Sequence, residues 1–247
     1  MSNPKKRSAA TAPDKQPKKK KSKTKSEQDD DGIDTVLGIN TLFSRMDNQL
    51  LADYLAQLTA RFGGDLSTVE LNDLAIPASC IRDTTSWQKD RTLQHLPAFL
   101  EAFAETPGSL KKAPKAKGSP HTLIVAGAGM RAADIVRAVR SFASPETAVA
   151  KLFAKHFKVQ EQVDFLKNKV TGIGVGTPAR LAELMKNGAL SVDGLQRLVV
   201  DASHIDQKKR GVMDMKDTAL TLARFLARQE FRDRYGEDDK SLALLFY

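Results

Sequence analysis

The 247-residue sequence has a single cysteine, Cys80, so a disulfide framework is excluded and the chain suits a reducing compartment. No apolar run approaches the ~20 residues that a membrane-spanning helix needs. No hydrophobic segment follows the N-terminal positive charges, which argues against a secretory signal. The dipeptide Gly-Lys occurs nowhere. A nucleotide hydrolase cradles phosphates in G-x-x-x-x-G-K-[ST], where backbone amides and a lysine neutralise the charge, so that loop is missing. His95, His121, His156 and His204 share no ligand spacing, and no metal site or cofactor is expected.

What the chain does have in excess is positive charge, and it sits in one place. Residues 1–25 hold ten basic side chains and one acidic one, Asp14, which equals the entire net charge of +9. The remaining residues carry 29 charges of each sign. The tail has too little apolar surface to offset chain entropy and is expected to be disordered. Its clusters Lys5, Lys6, Arg7 and Lys18, Lys19, Lys20, Lys21 read as a nuclear or nucleolar targeting signal, the alternative being a solvated tail that touches RNA loosely. The neutral body makes a strong, sequence-independent phosphate grip by the folded part unexpected.

At 41% apolar, the body has enough material for a core. Leu42, Met46, Leu50, Leu51, Tyr54, Leu55, Leu58 and Phe62 recur at spacings of three and four, predicting one helix over 41–62 that Gly63 and Gly64 end. Residues 65–92 read as a mixed, mostly irregular arm, 93–103 as helical, and PGSLKKAPKAKGSP (107–120) as a basic Pro/Gly loop. From His121 strands alternate with helices: TLIVAG, TGIGVG and LQRLVVD as strands, residues 141–157 and 151–170 as largely helical, and residues 210–231 as one long helix. That alternation predicts a parallel sheet covered on both faces, with ligands beyond the carboxyl ends of its strands. The organisation expected is a tail at 1–32, a helical arm at 33–106, a linker at 107–120 and an α/β domain at 121–247.

Three motifs lie at that edge. AGAGMRAAD (126–134) fits G-x-G-x-x-A between a strand and a helix, a loose dinucleotide fingerprint. Glycines permitting a tight turn are the alternative. The other two, VGTPARL (175–181) and LVVDASHID (198–206), resemble motifs of the first RecA-like domain of DEAD-box RNA helicases: V-G-T-P-G-R-L, which touches the RNA backbone, and L-V-L-D-E-A-D, which handles magnesium and water. By that resemblance Asp201 stands at the metal-binding, Walker B position, but Ala202 replaces the water-activating glutamate and His204 the second aspartate. DTTSWQKDRTLQHLPAFL lies where the phosphate loop would be. With 46 residues after Asp201, no second RecA-like lobe is expected. No catalytic residue is assigned and no ATPase or helicase activity is expected.

A fuller resemblance runs through ADY (52–54), DTTSW (83–87), RTLQHLPAFL (91–100), GMRAADIVRAV (129–139), KLFAKHFKVQEQV (151–163), VGTPARLAELM (175–185) and VVDASHIDQKKRGVMDM (199–215). These segments resemble the Cms-one-type family, helicase-related subunits of the small-subunit processome, or 90S pre-ribosome. The resemblance implies a single degenerate RecA-like (P-loop NTPase-like) α/β domain, a parallel sheet with helices on both faces, acting as a non-catalytic factor in the nucleus and nucleolus. Its implied partners are pre-ribosomal particle proteins, pre-rRNA and the box C/D small nucleolar ribonucleoprotein, with no membrane, the chain being monomeric within a large complex. The candidate RNA contacts are Thr177 and Arg180, which match the motif, with Arg131 and the cluster Lys208, Lys209, Arg210 at the same edge. Thr177 as a helix cap before Pro178, and the cluster as a solvated loop, are the structural alternatives. Asp201 is expected to bond the adjoining loop rather than hold a metal. Two other functions stay open: a nucleotide- or dinucleotide-binding protein using the GAGM turn, and a direct RNA-binding module.

Overall fold

In the computed structural model the described residues are 1–2, 32–114, 116–235 and 242–247. The basic clusters of the tail and Lys115 lie outside them. Residues 31–247 form one compact unit.

A short antiparallel hairpin, β1 (Ile33–Asp34) and β2 (Ile39–Asn40), opens this unit and leads into a 3-10 turn (Thr41–Ser44). Helix α1 (Asn48–Phe62) follows, then α2 (Thr68–Leu74) and α3 (Leu96–Ala102). The expected single helix over 41–62 is therefore two elements. Asp47 breaks it, taking extended backbone and accepting from the Leu50 amide at 2.8 Å as an N-cap. Leu50, counted on the apolar face, is 53% exposed and lies off the buried stripe of Leu51, Leu55 and Leu58. Helix α2 is the one α-helix in the mixed, mostly irregular stretch 65–92. Ser67 and Glu70 form a capping box there, S-x-x-E, which fixes its start.

The α/β part runs β3 (Thr122–Val125), α4 (Gly129–Ala138), β4 (Ala148–Leu152), α5 (Val159–Asn168), β5 (Thr171–Gly176), α6 (Pro178–Lys186), β6 (Arg197–Val200), α7 (Lys216–Leu226), α8 (Gln229–Arg232) and β7 (Ala243–Phe246). All five strands β3–β7 are parallel, in the order β4-β5-β3-β6-β7. Alternation along the strands sends Leu123, Val125, Leu198, Val200, Leu244 and Phe246 to one face, packed with α1, α5, α6 and α7. Ile124, Ile173, Val199 and Leu245 face the other way, toward α3 and α4. The parallel sheet with helices on both faces is thus present.

Strand β4 corrects the helical reading of 148–152, and β7 was not anticipated. The long helix expected over 210–231 starts only at Lys216, because Asp214 Oδ2 accepts from the Gly211 amide at 2.5 Å and holds the preceding residues in a turn. The upstream arm is tied to the sheet at β7: Ile81 bridges Leu244, and the Arg82 amide donates to the Leu244 carbonyl at 2.9 Å.

Candidate functional site

Strands β5, β3 and β6 are neighbours, so the turns leaving their carboxyl ends come together: Thr177 after β5, the GAGM turn after β3 and Asp201 after β6. Asp201 is 3% exposed. Its carboxylate meets Arg131, in the first turn of α4, as a two-pronged fork: Nε donates to Oδ2 and Nη2 to Oδ1, each at 2.8 Å. The Arg131 side chain is 10% exposed. A planar guanidinium matches both carboxylate oxygens at once. The result is a closed, charge-matched pair in which each carboxylate oxygen accepts from the guanidinium. Beside it His204 is half-buried, its backbone bridged to Ile39 of the hairpin. Burial, reinforced by the Arg131 charge, pushes its imidazole below the ordinary histidine range despite the opposing pull of Asp201.

The GAGM turn is filled from within. A Cβ at Gly127 would meet Val212 atoms at 3.1 Å, so the glycine makes room for the chain itself. A dinucleotide fold pairs its first two strands, whereas β3 here pairs with β5 and β6, and β4 lies at the sheet edge. Strand β4 also ends in Lys151 and Leu152 and is followed by Phe153, with no acid at its end.

Thr177 takes extended backbone as the N-cap of α6 with Pro178 in the first turn, yet its side chain makes no capping hydrogen bond. Gly176 before it lets β5 approach β4, since a Cβ there would lie 2.2 Å from the Leu152 carbonyl. Arg180 turns inward. Nη1 donates to Gln162 Oε1 at 2.7 Å and the Phe157 carbonyl at 3.3 Å, and Nε pairs with Glu183 at 3.0 Å. Ala179, in place of the motif glycine, is exposed.

Lys208 and Lys209 stand exposed on a turn that Asp206 organises. Asp206 Oδ1 accepts from the Lys208 and Arg210 amides at 2.8 and 3.0 Å, and Oδ2 pairs with Arg210 at 2.9 Å. The Arg210 hydrogen bond holds that carboxyl below its ordinary range. Of the residues named from sequence, Arg131 and Asp201 are in contact, Thr177 sits on the adjacent strand end, Arg180 points into the protein, and Lys208–Arg210 form an outer turn. Lys5, Lys6, Arg7 and Lys18–Lys21 lie outside the described residues.

Sequence reasoning missed Arg91. It lies in the segment standing where a phosphate loop would be, and its buried guanidinium donates to the Phe246 carbonyl at 2.6 Å and to Thr84 Oγ1 at 3.0 Å. The only signal was a basic residue shortly before the apolar stretch of α3. Among the described residues no cluster of histidine, cysteine or carboxylate side chains suited to a metal is present.

A sequence profile for a family described as "CMS1: U3-containing 90S pre-ribosomal complex subunit" matches residues 1–247. The Protein CMS1 of Chaetomium thermophilum is 57% identical over 235 residues, covering 95% of this chain and 94% of its own. The human Protein CMSS1 is 37% identical over 150 residues, 60% of this chain and 51% of its own, so the chain matches about half of that relative's length. Among solved structures, Saccharomyces cerevisiae Dbp5 bound to Nup159 and Gle1 is similar at a TM-score of 0.37 and 16% identity, over 65% of this chain and 43% of that one. A DEAD box protein from Methanococcus jannaschii is similar at a TM-score of 0.35 and 17% identity, over 53% of this chain and 32% of that one.

Proposed function

Because the chain belongs to the family of U3-containing 90S pre-ribosomal complex subunits, we propose that it is a non-catalytic assembly factor of the small-subunit processome, acting in small-subunit rRNA maturation. In this reading residues 1–32 are a targeting tail that takes the protein to the nucleus and nucleolus, 33–106 an arm, 107–120 a linker, and 121–247 a lobe with a helicase frame but no nucleotide chemistry. Its partners are pre-ribosomal proteins, the pre-rRNA and the U3 box C/D ribonucleoprotein, and it enters the particle as a monomer.

The observation that carries the non-catalytic part is the Arg131–Asp201 fork. Phosphoryl transfer depends on a metal-binding carboxylate, a water-positioning group and cationic clamps on the phosphates. Here the one aspartate at the metal position is neutralised by the protein's own arginine, and Ala202 and His204 supply no second carboxylate. Purified protein should turn over no nucleoside triphosphate above a blank, with or without RNA, and Asp201→Asn should behave the same. Turnover that disappears in Asp201→Asn would refute the non-catalytic reading. Purification of the tagged chain from nucleolar extract should co-isolate U3 RNA and small-subunit pre-rRNA, and their absence would refute the assembly role.

A direct RNA contact is the second reading. It is favoured by the uncapped Thr177 hydroxyl at a helix N-terminus and the exposed Lys208 and Lys209 at the same sheet edge. Arg210 steadies that turn, while Arg131 and Arg180 position α4 and α6 behind it. Replacing Thr177, Lys208 and Lys209 by alanine together should weaken crosslinking to pre-rRNA, and unchanged crosslinking would remove this edge from the interface.

A further inference from the structure

The two borders of the parallel sheet differ. Along β7 the arm closes the edge, through the Ile81 bridge to Leu244 and the bonds from the Arg82 amide and the Arg91 guanidinium to β7 carbonyls. Strand β4 forms the other border, and among the described residues no strand pairs with its outer side. Gln162 reaches the Lys151 and Phe153 carbonyls from that side, so these residues turn their peptide groups away from β5. By the two-residue period of a strand, Val149 does the same. Among the described residues, no turn, loop or side-chain hydrogen bond engages the Val149 amide, the Val149 carbonyl or the Lys151 amide. Three ladder positions therefore face outward unused.

A cleft of about 320 Å³ lies on this same border. Val149, Lys151 and Phe157 line it together with Glu161, Gln162 and Phe165 of α5. Its walls are apolar: Val149 and Phe157 are half-buried, and Phe165 is exposed. The Lys151 ammonium lies over the Phe157 ring, 5.8 Å from its centroid. Residues 146–169 expose five lysines against three acids, in a body of no net charge. None of the ion pairs among the described residues includes any of these lysines. Open main-chain groups beside an apolar pocket suit strand addition, in which the ladder supplies affinity and the pocket selects side chains.

We propose that the β4 border takes up an extended, acidic segment of another protein as an added strand, with one apolar side chain of that segment in the cleft and its carboxylates toward the lysines. Residues 2–31 of this chain cannot supply the segment, because apart from proline they hold no apolar side chain larger than alanine. A second copy paired through β4 would set two positive surfaces face to face. RNA would meet the lysines but has no strand to add, and Lys151 already covers the Phe157 ring on which a base would stack. The site is independent of the assembly role: failure to bind peptide would leave co-isolation of U3 RNA untouched.

The probe is a fluorescein-labelled pool of short peptides in which glutamate or aspartate alternates with valine, leucine or phenylalanine. Its anisotropy is followed on titration with the full chain. Companion probes are the same pool with lysine in place of the acids, the acidic pool with N-methylated backbone amides, and a short single-stranded RNA. The acidic pool should bind saturably with a Kd at or below about 100 µM. Amide exchange at Val149 and Lys151 should slow in the complex. N-methylation of the peptide, and K151E in a protein of unchanged melting temperature, should each weaken binding about tenfold or more. F165S, which alters only the cleft wall, should weaken it about fivefold. No saturable change up to about 1 mM, equal binding of the lysine or N-methylated pool, unchanged affinity in K151E and F165S, or a response confined to the RNA would each overturn the proposal. Self-association of the free chain in sedimentation that F165S abolishes would assign the border to a second copy and overturn it as well.

Discussion

Both oxygens of Asp201 accept from one guanidinium, so removing either partner strands the other inside the protein. Asp201→Ala should cost about 3–5 kcal/mol in urea unfolding, whereas replacing Asp201 and Arg131 together by leucine should cost clearly less. A non-additive double-mutant cycle is the check. The aspartate was legible from the DASH stretch, and Arg131 was legible as a residue of interest at the right edge. Their pairing was not, because the partners are 70 residues apart and no periodicity links them. His121 gives a second prediction. Burial, reinforced by the nearby Arg197 charge, holds its imidazole down to about 4. The unfolded chain then binds a proton that the folded one refuses, so this stability is full above about pH 6.5 and is lost as pH falls toward about 4. Between about pH 7.5 and about pH 5 the His121 contribution to the loss should be about 2 kcal/mol. His121→Gln should flatten the urea midpoint over that window, and an unchanged slope would exclude His121 as the source.

Gln162 of α5 works at the scale of elements. Its Nε2 donates to the carbonyls of Lys151 and Phe153, at 2.7 and 3.0 Å, along the edge strand β4 and just past its end, while its Oε1 accepts from Arg180 of α6. One side chain thereby closes part of an open sheet edge and fixes two helices against it. Gln162→Leu keeps the volume but leaves an arginine donor and two carbonyls without this partner. A loss of about 2–3 kcal/mol is expected, seen as a lower urea midpoint and faster amide exchange in β4. Strands β3, β5 and β6 were readable because each is apolar and runs into a glycine turn or an aspartate. Strand β4 was not, since AVAKLF is a short apolar run whose period does not separate helix from strand. Strand β7 went unread for a different reason: its burial depends on β6 and on the distant segment around Ile81, not on anything local.

At the scale of the molecule the charge is segregated, with +9 in residues 1–25 and none net in the rest. Deleting residues 1–25 should leave the melting temperature unchanged. It should abolish nuclear accumulation and remove most of the salt-dependent retention on an RNA column. Persistent salt-sensitive retention would place the contact on the body instead. The contacts of β7 also bear on how the protein is made. The guanidinium of Arg91 reaches its Phe246 acceptor across 155 residues of sequence, and the Ala202 and Ser203 amides both wait for the Tyr247 carbonyl. A ribosome adding about 5–20 residues per second leaves Arg91 without its acceptor for many seconds after it is joined to the chain. In the last part of that interval, after β6 is made and before β7 follows, the nascent chain exposes the flank of β6 to solvent, and a chaperone that shields this flank would raise the yield of folded protein.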